Sequence, residues 1–132
     1  MNLSSQIKTQ GSFEHVLAVV SEALKAQGFG ILTQIDFHKK IQEKLNKKIP
    51  TTVILGACHP GLAFEAYSIN SAVVNLMPCN VVIQEKSAGE WSVEFALAEP
   101  ILAILKDEKL QILAKTVDEK IKLAAKAVES RL

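Results

Sequence analysis

A cysteine and a histidine stand side by side at Cys58-His59, immediately before Pro60. The preceding run, residues 51–55, is β-branched and apolar, which is typical of a strand buried on both faces. Pro60 suits the first turn of a helix, because its missing N–H would have no partner there. A thiol at such a strand-to-helix turn lies near unpaired N–H groups and a helix dipole that favour the thiolate. Cys58 and His59 are therefore the first candidates for a ligand-binding or reactive site.

A second thiol, Cys79, lies 21 residues beyond Cys58. If the strands that carry the two cysteines are neighbours, both side chains reach one end of the sheet and could form a reversible disulfide. The spacing is not C-x-x-C, so the indication of redox chemistry is weak. The alternative interpretation of the Cys58-His59 turn is that Cys58 is a small, buried and inert thiol and that His59 caps the helix. Asp36 ends another predicted strand and either reaches the same cleft or caps the following helix near Phe37.

Other kinds of site lack their signatures. Two cysteines and one nearby histidine at irregular spacing do not indicate a zinc site, so we expect no metal. His15 and His38 fall on predicted helix surfaces, where they would be solvated. The sequence contains no G-x-S-x-G, phosphate-loop or dinucleotide motif, so no catalytic residue is assigned.

Composition narrows the classes of partner. The net charge is +1, and the only dense basic cluster holds no interleaved aromatic residue for base stacking. A nucleic-acid partner is therefore not expected. The lysines of that cluster are Lys39, Lys40, Lys44, Lys47 and Lys48.

Size and hydropathy predict one compact domain over residues 1–132. No run approaches the ~18 apolar residues of a membrane span, so no membrane partner is expected. Residues 1–10 are polar and lack the apolar core of a signal peptide. We therefore expect a cytoplasmic protein whose two cysteines are reduced.

The apolar spacing predicts alternating strands and helices. Ser12 is a candidate N-cap for a first helix that ends at Gly28, and Ile41 and Leu45 are expected to face inward from a second. The predicted strands are 3–9, 30–37, 51–55, 72–85 and 91–97, and the later helices begin at Pro60, Ile101 and Leu110. This order predicts an α+β fold: a mixed, mostly antiparallel sheet with helices packed on one face, which allows one parallel pair.

Three segments in the same order resemble the domain-of-unknown-function 302 family. They are Phe13 to Phe37 with Gly28-Phe-Gly, Ile54-Leu-Gly-Ala-Cys-His-Pro60 with Ala63, and Leu76-Met-Pro-Cys-Asn-Val-Val82. The resemblance spans roughly residues 8–128. It implies a compact α+β domain of the β-α-β(4)-α kind that usually forms homodimers.

The chain departs from the family pattern at two positions, one in its central motif and one in its third. The family's usual Cys-Asn-Pro stands here as Cys58-His59-Pro60, and its Leu-Pro-Cys stands as Met77-Pro78-Cys79. The imidazole of His59 would be able to ligate a group such as haem iron that an asparagine would not. The resemblance carries no catalytic assignment.

Three functions remain open at this point. The first is a homodimeric module that binds a small molecule or a cofactor such as haem at the Cys58-His59-Pro60 turn, with Cys79 and Asp36 as further ligand-binding residues. The second is a thiol-dependent enzyme or redox protein with Cys58 as the nucleophile and Cys79 as its resolving partner. The third is a structural or interaction protein, since apolar residues such as Leu123 lie off the main stripe of the last helix.

Overall fold

A computed structural model of the chain describes residues 2–131. The strands are β1 (Ser4–Gln10), β2 (Gly30–Asp36), β3 (Thr52–Cys58), β4 (Cys79–Ser87) and β5 (Glu90–Ala96). The α-helices are α1 (Phe13–Ala26), α2 (Phe37–Leu45), α3 (Pro60–Ile69), α4 (Ala98–Leu102) and α5 (Glu108–Ser130). Two 3₁₀ helices, Ser71–Leu76 and Ala103–Leu105, follow α3 and α4.

Within residues 2–131 the strands form one antiparallel sheet in the order β1-β5-β4-β3-β2. The predicted α+β class is confirmed. The parallel pair that the sequence allowed does not form, because β3 and β4 run antiparallel with Leu55 opposite Val81. The connecting segment, residues 59–78, leaves and rejoins the sheet at the same end, so β4 runs back along β3.

The main core lies between one face of the sheet and the helices α1 and α5. Alternate strand residues such as Leu55, Ile83 and Phe95 point to this face and are fully buried, as are Leu24 of α1 and Ile121 of α5. The buried stripe of α5 that the helical spacing predicts is confirmed. None of the helices within residues 2–131 is both long and apolar enough to span a bilayer.

The edge strand β2 and the helix α2 that follows it are more exposed than the sequence predicts. The alternation of residues 30–37 predicts a half-buried strand, yet Leu32 is 66% exposed and Ile35 is 45% exposed. The inward positions predicted for α2 are also wrong, because α2 has no buried residue and Leu45 is 61% exposed. Helix α2 starts directly after β2 without a loop, and it does not contribute to the core.

The strand predicted over residues 72–85 begins later, at Cys79. The β-branched pair Val73-Val74 favours a strand, but Asn70 accepts the backbone N–H of Ala72 at 3.0 Å and starts a 3₁₀ helix instead. This turn buries Val73 to 1% exposure. Val73 packs in a second, smaller core with residues of α3, α4 and the first turns of α5.

Helix ends follow the predicted chemistry. The Ser12 side chain accepts the N–H of His15 at 3.2 Å and caps α1. Gly28, just beyond α1, has φ of +87°, a conformation that other residues adopt only with strain. The short helix predicted to begin at Ile101 starts earlier, at Ala98, and Pro100 lies within its first turn, where its missing N–H is harmless.

Candidate functional site

The two cysteines lie at the same end of the sheet. Ala57 is opposite Cys79 in the β3–β4 register, and Cys58 is opposite Gly30 of β2. The strands that carry Cys58 and Cys79 are therefore neighbours, which the sequence left open. Both residues are partly buried, and both line the same cavity.

The register of β3 and β4 does not align the two thiols for a disulfide. Both are free cysteines. Successive side chains of a strand point to opposite faces, so Cys79 shares a face with its partner Ala57, while Cys58 starts from the other face. Cysteines whose Cβ vectors diverge cannot be bridged without backbone movement. A redox role for the pair stays a prediction that this geometry does not favour.

His59 is the N-cap of α3. Its Nδ1 accepts the backbone N–H of Leu62 at 3.2 Å, which satisfies one of the unpaired donors at the helix start. An Nδ1 that accepts a hydrogen bond carries no proton, so the ring proton lies on Nε2. This interaction fixes the position of the imidazole at the β3–α3 turn.

The other edge of the His59 ring lies against the end of α1. The ring meets Phe29 edge-on, with ring centroids 5.4 Å apart and an interplanar angle of 80°. It also covers Gly28, where an added Cβ would lie 2.7 Å from Nε2. Only a glycine leaves room for the ring there, so the Gly28-Phe29 pair and His59 position one another.

A cavity of about 260 Å³ opens beside this turn. It lies between the ends of β3 and β4, the α3–3₁₀ segment, α4 and the middle of α5, where the main and the smaller core meet. Seventeen of its twenty lining residues are apolar. They are Phe29, Leu32, Ala57, Leu62, Ala63, Ala66, Val73, Val74, Met77, Pro78, Ala96, Leu97, Ala98, Ile101, Leu102, Leu113 and Val117.

The three lining residues with polar side-chain chemistry are Cys58, His59 and Cys79. The structure thus brings together three of the four site residues that the sequence singled out. Leu32 and Val74 line the same cavity while remaining 66% and 53% exposed, so apolar side chains form its mouth.

Burial, together with the smaller effects of the nearby Asp118 and Cys58, raises the pKa of the Cys79 thiol to about 11. At neutral pH Cys79 is therefore an uncharged thiol. Cys79 begins a strand and is surrounded mainly by apolar side chains, so the helix-start effect predicted for the Cys58 thiolate does not apply to it. Cys79 thus contributes a weak S–H donor to the cavity.

Asp118 is a buried acidic group behind Ala98, where the start of α4 forms one wall of the cavity. It is 3% exposed on α5, and its carboxylate accepts the N–H of Ala98 at 2.6 Å and of Glu99 at 2.9 Å. Burial raises its pKa, against the lowering effect of these two hydrogen bonds. The carboxylate supplies the cap that α4 lacks from its own N-cap residue, Leu97.

Sequence reasoning missed Asp118 and the α4 wall. The available signal was an aspartate four residues after Ala114 and three before Ile121, within a stripe that is otherwise apolar. A lone charged residue on a buried helix face indicates a specific partner. That partner, the start of α4, is separated from it by twenty residues and follows from no local pattern.

Asp36 does not join this site. In the β2–β3 register Asp36 is opposite Val53, whereas Gly30 is opposite Cys58, so Asp36 lies at the far end of the strand. It makes no side-chain cap for α2 and instead accepts a hydrogen bond from Gln34 at 3.3 Å and pairs with Lys39 at 3.7 Å. The cleft position expected for Asp36 is therefore wrong.

The remaining histidines lie elsewhere. His15 is exposed on α1, as expected. His38 is not simply solvated, because its Nδ1 lies 3.1 Å from both the backbone N and the backbone O of Thr52, which ties α2 to β3. In the chain from residue 2 to 131, no cluster of three His, Cys, Asp or Glu side chains is placed to hold a metal ion.

The fold and the cavity define a small α+β domain with an apolar pocket at one end of its sheet. The chain belongs to the family described as "Domain of unknown function DUF302", whose model matches residues 5–128. The structure is similar to the crystal structure of an uncharacterised conserved DUF302 protein from Bacillus stearothermophilus, with a TM-score of 0.89 and 21% sequence identity. That match covers 97% of this chain and 99% of the other, and it shows a common fold. No curated protein matches the chain.

Proposed function

We propose that the protein is a homodimeric small-molecule binding module whose ligand occupies the cavity beside the Cys58-His59-Pro60 turn. The observation that carries this proposal is the lining: a volume of about 260 Å³ bounded by apolar side chains, with Cys58, His59 and Cys79 grouped along its wall. Ligand sites are typically concave, mostly apolar and supplied with a few polar groups that orient the ligand.

A thiol-dependent reaction has less support. A cysteine reacts as its thiolate, and the pKa of Cys79, the resolving partner in that hypothesis, is raised to about 11, mainly by burial. Cys58 and Cys79 also start from opposite strand faces, which does not favour a resolving pair. Binding without covalent chemistry is therefore the function that this site supports better.

Haem fits this site poorly. Nδ1 of His59 is engaged by the Leu62 N–H, so the iron would have to bind Nε2. Nε2 lies against Gly28, so close that a Cβ added to Gly28 would be 2.7 Å from it. The side of the ring that would have to face the iron is therefore covered by Gly28. We therefore propose a ligand that lies beside the His59 ring and is not coordinated by it.

Binding of a simple medium-chain alcohol tests the proposal. Octan-1-ol added to ¹⁵N-labelled protein should shift the amide resonances of cavity residues such as Ala57, Ala63 and Val117, with a Kd on the order of 0.1 mM. Shifts confined to residues outside the cavity, or no saturable shift up to the solubility of the alcohol, would contradict it. The interaction role would then be the remaining function.

Two leucine variants make the test specific. Ala63→Leu places a larger side chain in the cavity from α3 and should weaken octanol binding at least about tenfold by occupying its volume. Ala18→Leu is the matched control, because Ala18 is an exposed residue of helix α1 outside the cavity lining. It should bind octanol like the wild type.

The dimer part of the proposal rests on the sheet face opposite α1 and α5. Ile35, Ile54 and Val82 are paired across three strands, so they form a row on that face. Ile35 is 45% exposed, and the other two are only partly buried. Such a row is suited to the same row of a second copy, and a net charge of +1 gives little repulsion between copies.

Light scattering after size exclusion tests the dimer. Wild-type protein at 100 µM should have the mass of two chains, and Ile35→Lys should have the mass of one. Ile112→Lys is the control, because Ile112 is a 68% exposed residue of α5 on the other side of the sheet. A wild-type monomer, or a dimer that persists in Ile35→Lys and not in Ile112→Lys, would contradict this interface. The cytoplasmic location, expected from the polar N-terminal residues and the lack of a long apolar run, also stays a proposal.

A further inference from the structure

The cavity wall lacks fixed charge. Within residues 2–131, no Lys, Arg, Asp or Glu side chain lines it. The imidazole of His59 accepts a hydrogen bond through Nδ1 and is therefore neutral in this arrangement. A charged ligand group that left water for this cavity would meet no partner of opposite sign on the wall.

The closest buried charge is negative. Asp118 lies behind the wall formed by Ala98, and both oxygens of its carboxylate are used by the N–H groups that start α4. Its charge is felt at Cys79, whose pKa it raises together with burial. The same field acts against a ligand carboxylate or phosphate placed beside Cys79.

An ammonium group is not compensated either. Asp118 is 3% exposed and does not line the cavity, so a ligand cation there has no carboxylate on the cavity wall to pair with. A buried cation without a direct partner carries a large desolvation cost.

The volume limits the size of the ligand. A dry apolar cavity of roughly 150 Å³ holds one benzene molecule. At the same density, a cavity of about 260 Å³ holds on the order of ten non-hydrogen atoms. The apolar mouth at Leu32 and Val74 suits the passage of a hydrocarbon chain.

We propose that the cavity selects uncharged, largely hydrocarbon molecules of on the order of ten non-hydrogen atoms and rejects carboxylates and ammonium ions of the same chain length. This inference rests on the proposed binding function and names its ligand class. A medium-chain alcohol, aldehyde or ketone has the required chemistry, with its single oxygen near the neutral thiol of Cys79 or the ring of His59.

A series with one chain length tests the selectivity. Octan-1-ol, octanoate and octylammonium are titrated separately into the wild-type protein at pH 7.5 and followed by the amide resonances of cavity residues. The alcohol should bind at least about 30-fold more tightly than either ion. Equal binding of octanoate or of octylammonium would overturn the selectivity while the binding function stands. Failure of all three would instead contradict the binding function itself.

A charge placed at the mouth gives a second measurement. Val74 is 53% exposed, so Val74→Lys should leave the fold intact and bring a cation to the cavity. It should improve octanoate binding at least about fivefold relative to the wild type. Ile104→Lys is the control, since Ile104 is 68% exposed and lies outside the cavity lining. Octanoate binding that is unchanged in Val74→Lys, or improved equally in both variants, would overturn the inference that the missing cation sets the selectivity.

Discussion

Nδ1 of His59 accepts a hydrogen bond from the backbone N–H of Leu62 at 3.2 Å, and this contact caps the start of α3. His59→Ala removes the cap and the ring contact with Phe29, and should lower the free energy of unfolding by about 2 kcal/mol. His59→Asn keeps a capping oxygen and loses only the ring, so it should cost about 1 kcal/mol. Urea denaturation monitored by circular dichroism measures both values.

The control for these variants is His15→Ala, because His15 is an exposed residue of α1. It should change the free energy of unfolding by less than about 0.5 kcal/mol. If His59→Asn is as unstable as His59→Ala, the capping hydrogen bond contributes nothing measurable and the contact with Phe29 alone holds the turn.

Cys79 should be a slow nucleophile over the whole physiological range. With a pKa of about 11, roughly one part in a thousand of the thiol is ionised at pH 8. In a Cys58→Ser background, the rate of iodoacetamide alkylation at Cys79 should therefore rise about tenfold per pH unit and show no plateau up to pH 10.

The same variant unfolded in urea is the reference for Cys79. Its alkylation rate should level off near the ordinary thiol pKa of about 8.5, because the desolvation that burial imposes is then absent. A folded-state plateau below pH 9 would show that Cys79 is ionised more easily than its surroundings imply, and would restore the case for thiol chemistry.

Gly56 has no space for a side chain. An added Cβ would collide with Oγ1 of Thr33 and lie 2.8 Å from Cγ of Pro78, so β2 and the start of β4 close tightly around β3 at this point. Gly56→Ala should lower the free energy of unfolding by about 2 kcal/mol. Thermal or urea unfolding gives the value.

Gly30 provides the matched control on the neighbouring strand. No atom lies within 4 Å of a Cβ added there, and Gly30 is exposed and opposite Cys58. Gly30→Ala should be neutral or stabilising by about 0.5 kcal/mol, because it restricts the unfolded chain. An equal loss in both variants would indicate a general intolerance of alanine at this end of the sheet and not a close approach at Gly56.

Asp118 should be worth more to stability than other capping aspartates of the chain. Asp118→Ala leaves the N–H groups of Ala98 and Glu99 without their acceptor in a buried setting, at a cost of about 3 kcal/mol. Asp118→Asn retains one acceptor and should cost about half as much. Equilibrium unfolding in urea measures the order of the two variants.

Asp107 is the comparison, since it caps α5 from a partly exposed position by accepting the N–H groups of Lys109 and Leu110. Asp107→Ala should cost about 1 kcal/mol. If Asp118→Ala is no worse than Asp107→Ala, water replaces the lost acceptor at the start of α4, and Asp118 is not needed to hold that wall of the cavity.

Local patterns predicted the elements whose side chains pack on a continuous core. The α5 stripe and the alternation of β5 follow directly from sequence, because each buried face repeats with the helix or strand period. The cap at Ser12 and the helix end at Gly28 follow from the chemistry of single residues.

Elements at the edges were predicted less well, because their burial depends on neighbours that a local pattern does not contain. Ile35 alternates like a core residue, yet β2 has a strand on one side only and leaves it 45% exposed. Val73 has a strand-forming side chain, but the Asn70 turn commits its segment to a 3₁₀ helix.

The candidate site was predictable only in part, because some of its residues follow from a local pattern and others from contacts between distant segments. Cys58 and His59 were found because a strand-to-helix turn is a local signal, and His59 caps the helix as the alternative to a reactive site predicted. The proximity of Cys79 depends on strand order, and the wall provided by Asp118 and α4 depends on a contact across twenty residues. Neither can be derived from spacing alone.

The division of the interior into two clusters has a consequence for motion. Residues of α3 and of the 3₁₀ helix Ser71–Leu76 pack in the smaller cluster. The cavity lies at the boundary between the smaller and the main cluster, where Val117 packs against both. Cooperative units with fewer buried partners open at a lower free energy than the whole molecule. Amide hydrogens of α3 should therefore exchange with solvent well before those of β4. A ligand bound in the cavity, in contact with both clusters, should slow the exchange of α3 alone.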